Sequence, residues 1–405
     1  MSNILDSNMG VIAASQAFHP FTRLRSLLKG ITPYTHEVPV KLTIGEPQNQ
    51  PPDFLFEAIS RHNHNYNRYP PPLGMEALRS AQAKWLERRY TLPQAINPLE
   101  DVIVTAGSRE GLSKAIAFAI ERKRLEGYNT PKVALPNPFY HSYLGSTLAC
   151  GGQPLLFDAN ATTGHMPNYA SLTDKSCAAI ILCNPANPQG TTASHELLVS
   201  TIKKAQELNA LALFDECYSE IYRQVPPPGL WDIAQETGLG NCIAFHSLSK
   251  RSSAAGLRCG FASGDKDALQ GLGAHMKFTS ATVPVPLQYG AISLLENETH
   301  VEANRIRYNQ AYETARLAFA GKGQCPIPEG GFLLWLPVKN AEEACVKLWQ
   351  EEAIQVLPST ALNCNKNNGE PNYLRIALVF EPDFLSRVLE RLANCLHNAG
   401  LLLKE

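Results

Sequence analysis

From residue 101 onward the chain alternates short apolar runs with segments of helical spacing. DVIVTA, KVALPN, CAAIILC, ALALF and CIAFHS read as buried strands, and GLSKAIAFAIERKR, between the first two, reads as a helix. This alternation constrains the fold more than any other feature, and it points to an α/β chain with a mainly parallel sheet. It also sets polar residues in a pattern. Asp215 ends one run, Lys250 follows another, and Ser108, Arg109, Tyr140 and Asn187 stand in the turns after three more. Ligands of open α/β sheets bind at that edge.

The densest of these turns is FHSLSKRSSAAGLRCGFASGD, residues 245–265. Ser247 and Ser249 offer hydroxyl donors around Lys250, and Arg258 offers a bidentate fork for a phosphate. Gly256 and Gly260 let the backbone pass close to a ligand. A lysine beside a phosphate cradle is what covalent attachment of pyridoxal phosphate requires. A bare Ser-x-Ser-Lys reads better as an exposed loop after a buried strand.

Each remaining candidate has a functional and a plain reading. Gly107, Ser108 and Arg109 open a helix, where free N–H groups and the helix dipole favour a phosphate; the alternative is an ordinary N-cap. Tyr140 is placed to stack on a flat ring, or to pack as a core aromatic under a loop. In NPANPQG two prolines stiffen the strand exit, and Asn187 can aim its amide at a ring oxygen. Asp215 is either a helix cap or a carboxylate that keeps a pyridine nitrogen protonated. Tyr218 can bond a phenolic oxygen or pack on the sheet. KLTIGEP ends a strand at Gly45, which either admits a ligand carboxylate to backbone N–H groups or makes a common turn. Tyr69 lies in a proline-rich loop before MEALRSAQAKWLERRY, a helix with Leu78, Trp85 and Leu86 on its buried side. Its hydroxyl can reach a phosphate or simply cover surface. Arg375 interrupts the apolar strand NYLRIALVF, which alone suggests a structural ion pair.

The 405 residues, 44% of them hydrophobic, suit one large domain with a smaller companion. Phe18, Pro20, Phe21, Leu24 and Leu27 make one apolar face of an N-terminal arm, and HVEANRIRYNQAYETARLAFAG is a long helix leading to a C-terminal unit of short strands and helices. The expected division is 1–45 as arm and part of the small domain, 46–300 as the large domain, and 301–405 as the small domain. Ala361–Gly369 reads as a loop bordering the substrate entrance. A net charge of -1 gives no reason to expect nucleic acid or a membrane surface as partner. Ten cysteines without a C-x-x-C pair suggest reduced, buried thiols in a cytoplasmic protein. MSNILDSNMGVIAASQ lacks the basic and apolar regions of a signal peptide, and no metal motif is present.

Taken whole, residues 245–265 resemble the lysine signature of class I pyridoxal-phosphate aminotransferases, with serine, lysine and arginine in register; Cys259 stands where that slot is usually aliphatic. The resemblance extends over essentially the whole chain. Within the family, FTRLRSLLKGITP, LTIGEP, GSREGL, PNPFYHSYLG, FDECYSEIY, SLSKRSSAAGLRCGFASGD and NYLRIALV are most similar to the N-succinyldiaminopimelate aminotransferases of bacterial lysine synthesis. SSAAG departs from that subgroup, which tends to carry an Asn and a Pro there, and leaves the amino acceptor open.

The resemblance implies an aspartate aminotransferase-like fold and a homodimer with shared sites, in which glutamate and 2-oxoglutarate form one substrate pair. Lys250 would hold the cofactor and act as base, then acid. Asp215 would face the ring nitrogen, Asn187 and Tyr218 the ring oxygen, and Tyr140, rather than Phe139, the ring plane. Ser108, Arg109, Ser247, Ser249, Arg258 and the neighbouring subunit's Tyr69 would hold the phosphate; Gly74, Leu78 and Arg79 follow Tyr69 as in the family. Arg375 would fork the substrate α-carboxylate, with Gly45 and Asn187 beside it. The rivals are the same chemistry on aspartate, alanine or acetylornithine, a lyase on the same fold, and a regulator using the fold as a sensor. The short arm before Lys41 disfavours the last.

Overall fold

A computed structural model describes residues 13, 18–364 and 372–404. Helix α1 (Pro20–Leu27) and strand β1 (Val40–Lys41) come first, then α2 (Glu76–Tyr90), β2 (Val102–Thr105) and α3 (Ser108–Leu125). Next are β3 (Lys132–Asn137), α4 (His141–Ala149), β4 (Gln153–Asp158), β5 (Cys177–Cys183) and β6 (Leu211–Asp215). Helix α5 (Leu230–Thr237), β7 (Cys242–Ser247), the single turn α6 (Leu248–Arg251) and β8 (Gly260–Gly264) complete the central layer.

Strands β2 to β8 form one sheet in the order β2-β8-β7-β6-β5-β3-β4. Every neighbouring pair is parallel except those made by β8, which runs against both β7 and β2. The continuous apolar runs follow from burial on both faces. Ala179 and Ile181 of β5 pack with Leu112, Ile116 and Phe245 on one side, while Ile180 and Leu182 pack with Leu198, Ile202 and Phe214 on the other. Beyond the β2 side, α2 buries Leu78, Trp85 and Leu86, as its spacing predicts.

Residues 299–402 build a second layer. Helix α7 (Thr299–Phe319) leads to β9 (Leu333–Val338), β10 (Ile354–Gln355), β11 (Leu357–Pro358), β12 (Asn372–Ala377) and α8 (Pro382–Asn398). The order β11-β12-β9 is antiparallel throughout, and β1 pairs with β10 in parallel. Leu24 of α1 packs on Trp335, Leu357, Leu362 and Tyr373, which anchors the arm to this layer. Its apolar face is therefore used.

One expectation is corrected. The strand expected to reach Gly45 ends at Lys41. Beyond it the carbonyls of Thr43 and Gly45 accept hydrogen bonds from the side chains of Arg375 and Lys250, so the site and not a ladder takes these carbonyls. A Cβ at Gly256 would meet open space. At Gly260 a side chain would meet the His246 carbonyl of the neighbouring strand at 2.6 Å. All ten cysteines are free thiols, and Cys150, Cys217 and Cys325 are the ones not fully buried. Most of the Ala361–Gly369 loop lies outside the described residues. Among the described residues no helix is long and apolar enough to cross a membrane.

Candidate active site

The parallel strands deliver their last residues to one edge of the sheet, and the second layer supplies the opposite wall. Ser247 ends β7 and caps α6, its hydroxyl accepting the Ser249 N–H at 3.2 Å. That turn aims Lys250 inward. Its Nζ donates to the Gly45 carbonyl and lies 5.2 Å from the centre of the Phe332 ring. Burial is the main cause that lowers the Lys250 pKa to about 8, with Cys217 and Glu46 opposing it and Arg375 and Arg258 adding to it. An amine so placed is available as a nucleophile and base near neutral pH.

Asp215 ends β6 and is buried. Its Oδ2 accepts the Tyr143 hydroxyl at 2.5 Å, and its Oδ1 accepts the Cys217 N–H at 3.3 Å. Burial raises the carboxyl pKa, against the pull of donors from Cys217 and Tyr143 and the charge of Lys250. Tyr143 stays a donor because burial, then the Asp215 charge, hold its hydroxyl protonated. Sequence reasoning missed Tyr143. The signal was its place three residues after Tyr140, in the first turn of the helix that Tyr140 caps. Cys217 was missed as well; it faces both Asp215 and Lys250.

Arg375, on β12, is buried and donates through Nη1 to Asn187 Oδ1 at 3.2 Å and through Nη2 to the Thr43 carbonyl at 2.7 Å. Its Nε has no partner. The structure thus joins Arg375 to Asn187 across 188 residues of sequence. Tyr218 packs edge-on against Phe332 at 5.3 Å, and Arg375 lies within its electrostatic reach. Phe139 is in the core, whereas Tyr140 is half-buried and its hydroxyl accepts from Arg109 Nε at 2.8 Å.

Gly107 caps α3 with φ +85°, a conformation that favours glycine, and any side chain there would collide with the Arg258 guanidinium. Arg258 itself has φ +50° and is fastened by Nη1 to the Ala255 carbonyl at 2.8 Å. A guanidinium over a helix N-terminus, with Ser108 as the first helical residue, is a built anion cradle. A cavity of about 520 Å³ opens beside it, lined by Arg109, Arg258, His19, Lys114 and His141 among others; Lys250 does not line it. Tyr69 is fully exposed and does not join the others within one chain.

These donors fit pyridoxal phosphate: an anion cradle for the phosphate, a buried carboxylate for the ring nitrogen, and a buried amine of lowered pKa. Comparison with known proteins agrees. Residues 37–392 match the family model "Aminotransferase class I and II". An LL-diaminopimelate aminotransferase of Desulforudis audaxviator is 28% identical, over 88% of this chain and 90% of its own. The 4-dedimethylamino-4-oxo-anhydrotetracycline transaminase of Streptomyces rimosus is 32% identical, over 87% and 92%. The crystal structure of aminotransferase AspB from Helicobacter pylori superposes with a TM-score of 0.84 at 34% identity, covering 93% of this chain and 97% of that one. The chain belongs to the class I and II aminotransferases, with the aspartate aminotransferase-like fold and the pyridoxal-phosphate dependence of that family.

Proposed function

We propose that this aminotransferase exchanges an amino group between glutamate and a diaminopimelate-class partner, with N-succinyl-L,L-diaminopimelate as the first reading. The convergence of Lys250, Asp215 and Arg375 on one buried site is the observation that carries the chemistry. Bound pyridoxal phosphate supplies an electron sink for negative charge at the substrate Cα. Lys250 holds the cofactor; once released, its Nζ takes the Cα proton and later returns a proton as acid. Asp215, whose ionised form the Tyr143 hydroxyl favours, holds the proton on the ring nitrogen. Asn187 and Tyr218 bind the ring oxygen, and Tyr140 covers the ring. Ser108, Arg109, Ser247, Ser249 and Arg258 hold the phosphate together with Tyr69 of a second copy; its full exposure in the single chain supports that reading.

Arg375 receives the substrate α-carboxylate, with Gly45 and Asn187 beside it. Fixing that carboxylate sets which bond at Cα stands across the ring plane, which selects proton removal over decarboxylation. The large cofactor unit at 46–300 and the small unit at 301–405 are part of this reading; the separate sheets at 102–264 and 333–377 support it.

The N-succinylated substrate rests on the SLSKRS and DECYSEIY strings. Unmodified L,L-diaminopimelate is the second reading, favoured by the relatives that carry that name. A half-reaction screen separates them. Each amino acid is added to the yellow, cofactor-loaded protein and the loss of visible absorbance is timed. Fast bleaching by N-succinyl-L,L-diaminopimelate and by glutamate supports the first reading. Fast bleaching by free L,L-diaminopimelate and by glutamate, with the N-succinyl form slow, supports the second, and bleaching only by aspartate or alanine removes both.

A further inference from the structure

A second acid, Glu216, follows Asp215. Side chains of successive extended residues leave on opposite faces. Asp215 turns to the face of Tyr143, and Glu216 turns to the other, where its side chain is 1% exposed. Because Asp215 pairs with Phe245, the next residue of β7, His246, comes alongside Glu216. Glu216 Oε2 accepts the Tyr90 hydroxyl at 2.7 Å, and Oε1 accepts the Leu230 N–H at 2.7 Å. His246 Nε2 is 3.4 Å from Oε2 without hydrogen-bond geometry.

Gly229 shows that this arrangement is built around the carboxylate. Its backbone, at φ -133°, suits any residue. Yet a Cβ would stand 2.5 Å from Tyr90 Oη and 2.7 Å from Glu216 Oε2. Glycine is needed there for closeness and not for conformation. Burial raises the Glu216 pKa to about 7, and it lowers that of His246 to about 3, so the histidine is neutral. A buried acid costs stability that a hydrocarbon would not. Its use is therefore geometric. The Glu216 N–H donates to the Phe245 carbonyl at 3.0 Å, its carbonyl accepts the Ser219 N–H at 3.1 Å, and Tyr218 lies between. A rotation at residue 216 thus moves Asp215 and Tyr218 together.

We infer that Glu216 is a positioning residue: clamped by Tyr90 and Leu230 from behind the sheet, it fixes the direction in which Asp215 and Tyr218 face the cofactor. The inference rests on the reading of Asp215 as the carboxylate at the ring nitrogen.

The test compares Glu216→Ala, Glu216→Gln, Tyr90→Phe and Asp215→Ala with the parent. It reads three quantities: the visible spectrum of the loaded protein, the equilibrium affinity of the apoprotein for pyridoxal phosphate, and kcat and KM separately. Glu216→Ala should shift the absorption band, weaken cofactor binding and lower kcat, each loss on the order of tenfold or more, with KM nearly constant. Glu216→Gln keeps an acceptor for Leu230 and a partner for Tyr90, so it should recover most of each loss. Tyr90→Phe leaves the carboxylate in place, should lose less in the same direction, and decides the matter if Glu216→Ala does not fold. A folded Glu216→Ala or Tyr90→Phe protein with the parent's spectrum, affinity and kcat overturns the inference. So does a Glu216→Gln protein as impaired as Glu216→Ala. If Asp215→Ala itself keeps the parent's spectrum and affinity, the reading of Asp215 falls, and the positioning role with it.

Discussion

Removing one hydroxyl, in Tyr143→Phe, tests how the site favours the ionised form of Asp215. The Tyr143 hydroxyl bonds Oδ2 at 2.5 Å inside a buried pocket, where the Cys217 N–H at 3.3 Å and the Cys217 thiol also meet the carboxylate. Phenylalanine fills nearly the same volume, so packing stays intact. A hydrogen bond to a charged acceptor contributes roughly 1.5–3 kcal/mol, and one pKa unit corresponds to about 1.36 kcal/mol. Loss of the bond therefore raises the Asp215 pKa further, on top of the rise that burial already imposes. The sign is fixed: a donor that favours the ionised form is gone, so the carboxylate takes up a proton at higher pH than before. The acid limb of kcat/KM in the half-reaction should move to higher pH, and kcat at neutral pH should fall by about tenfold. Stopped-flow bleaching over pH 5 to 9, about four units wide, measures both. A variant whose acid limb and rate superimpose on the parent's would refute the reasoning.

Other perturbations probe other parts of the account. The partly buried Lys250 amine has a folded pKa of about 8 against the ordinary 10.5. Between those values the unfolded apoprotein binds more protons, so parent stability should rise with pH by up to ~3 kcal/mol relative to Lys250→Met. Urea midpoints of the two apoproteins that change in parallel across that window would contradict this. Arg375→Ala leaves the substrate carboxylate without its fork; kcat/KM should drop by about a hundredfold or more, mostly through KM, and a loss confined to kcat would speak against carboxylate binding. Gly74→Ala combines φ +91° with a Cβ pressed into Val104, and should cost roughly 2–4 kcal/mol in chemical unfolding; a cost below about 1 kcal/mol would mean the loop yields freely.

Much of this was legible in the residues. Strands buried on both faces announce themselves as unbroken apolar runs, so CAAIILC, ALALF and CIAFHS located β5, β6 and β7, and with them Asp215 and Lys250. Pairings at long sequence separation left no local pattern. Arg375 and Asn187 meet across 188 positions, and Tyr143 and Asp215 across 72. The reversed direction of β8 was equally silent, since a buried strand has the same composition whichever way it runs. Gly45 illustrates a partial reading. A glycine near the ligand was expected for its N–H, but its carbonyl is what the structure shows engaged, by Lys250. Glu216 read as part of a motif string, and only the side-to-side alternation at a strand end, together with Gly229, gave it a separate place.

The central claim is that Lys250 carries the cofactor. Borohydride reduction of the yellow protein fixes whatever lysine is covalently joined to pyridoxal phosphate, and peptide mass mapping then locates it. The account predicts the label on Lys250, in stoichiometric amount, with the visible band lost on reduction. A label on another lysine, or a protein that takes up no pyridoxal phosphate and shows no visible band, would contradict it.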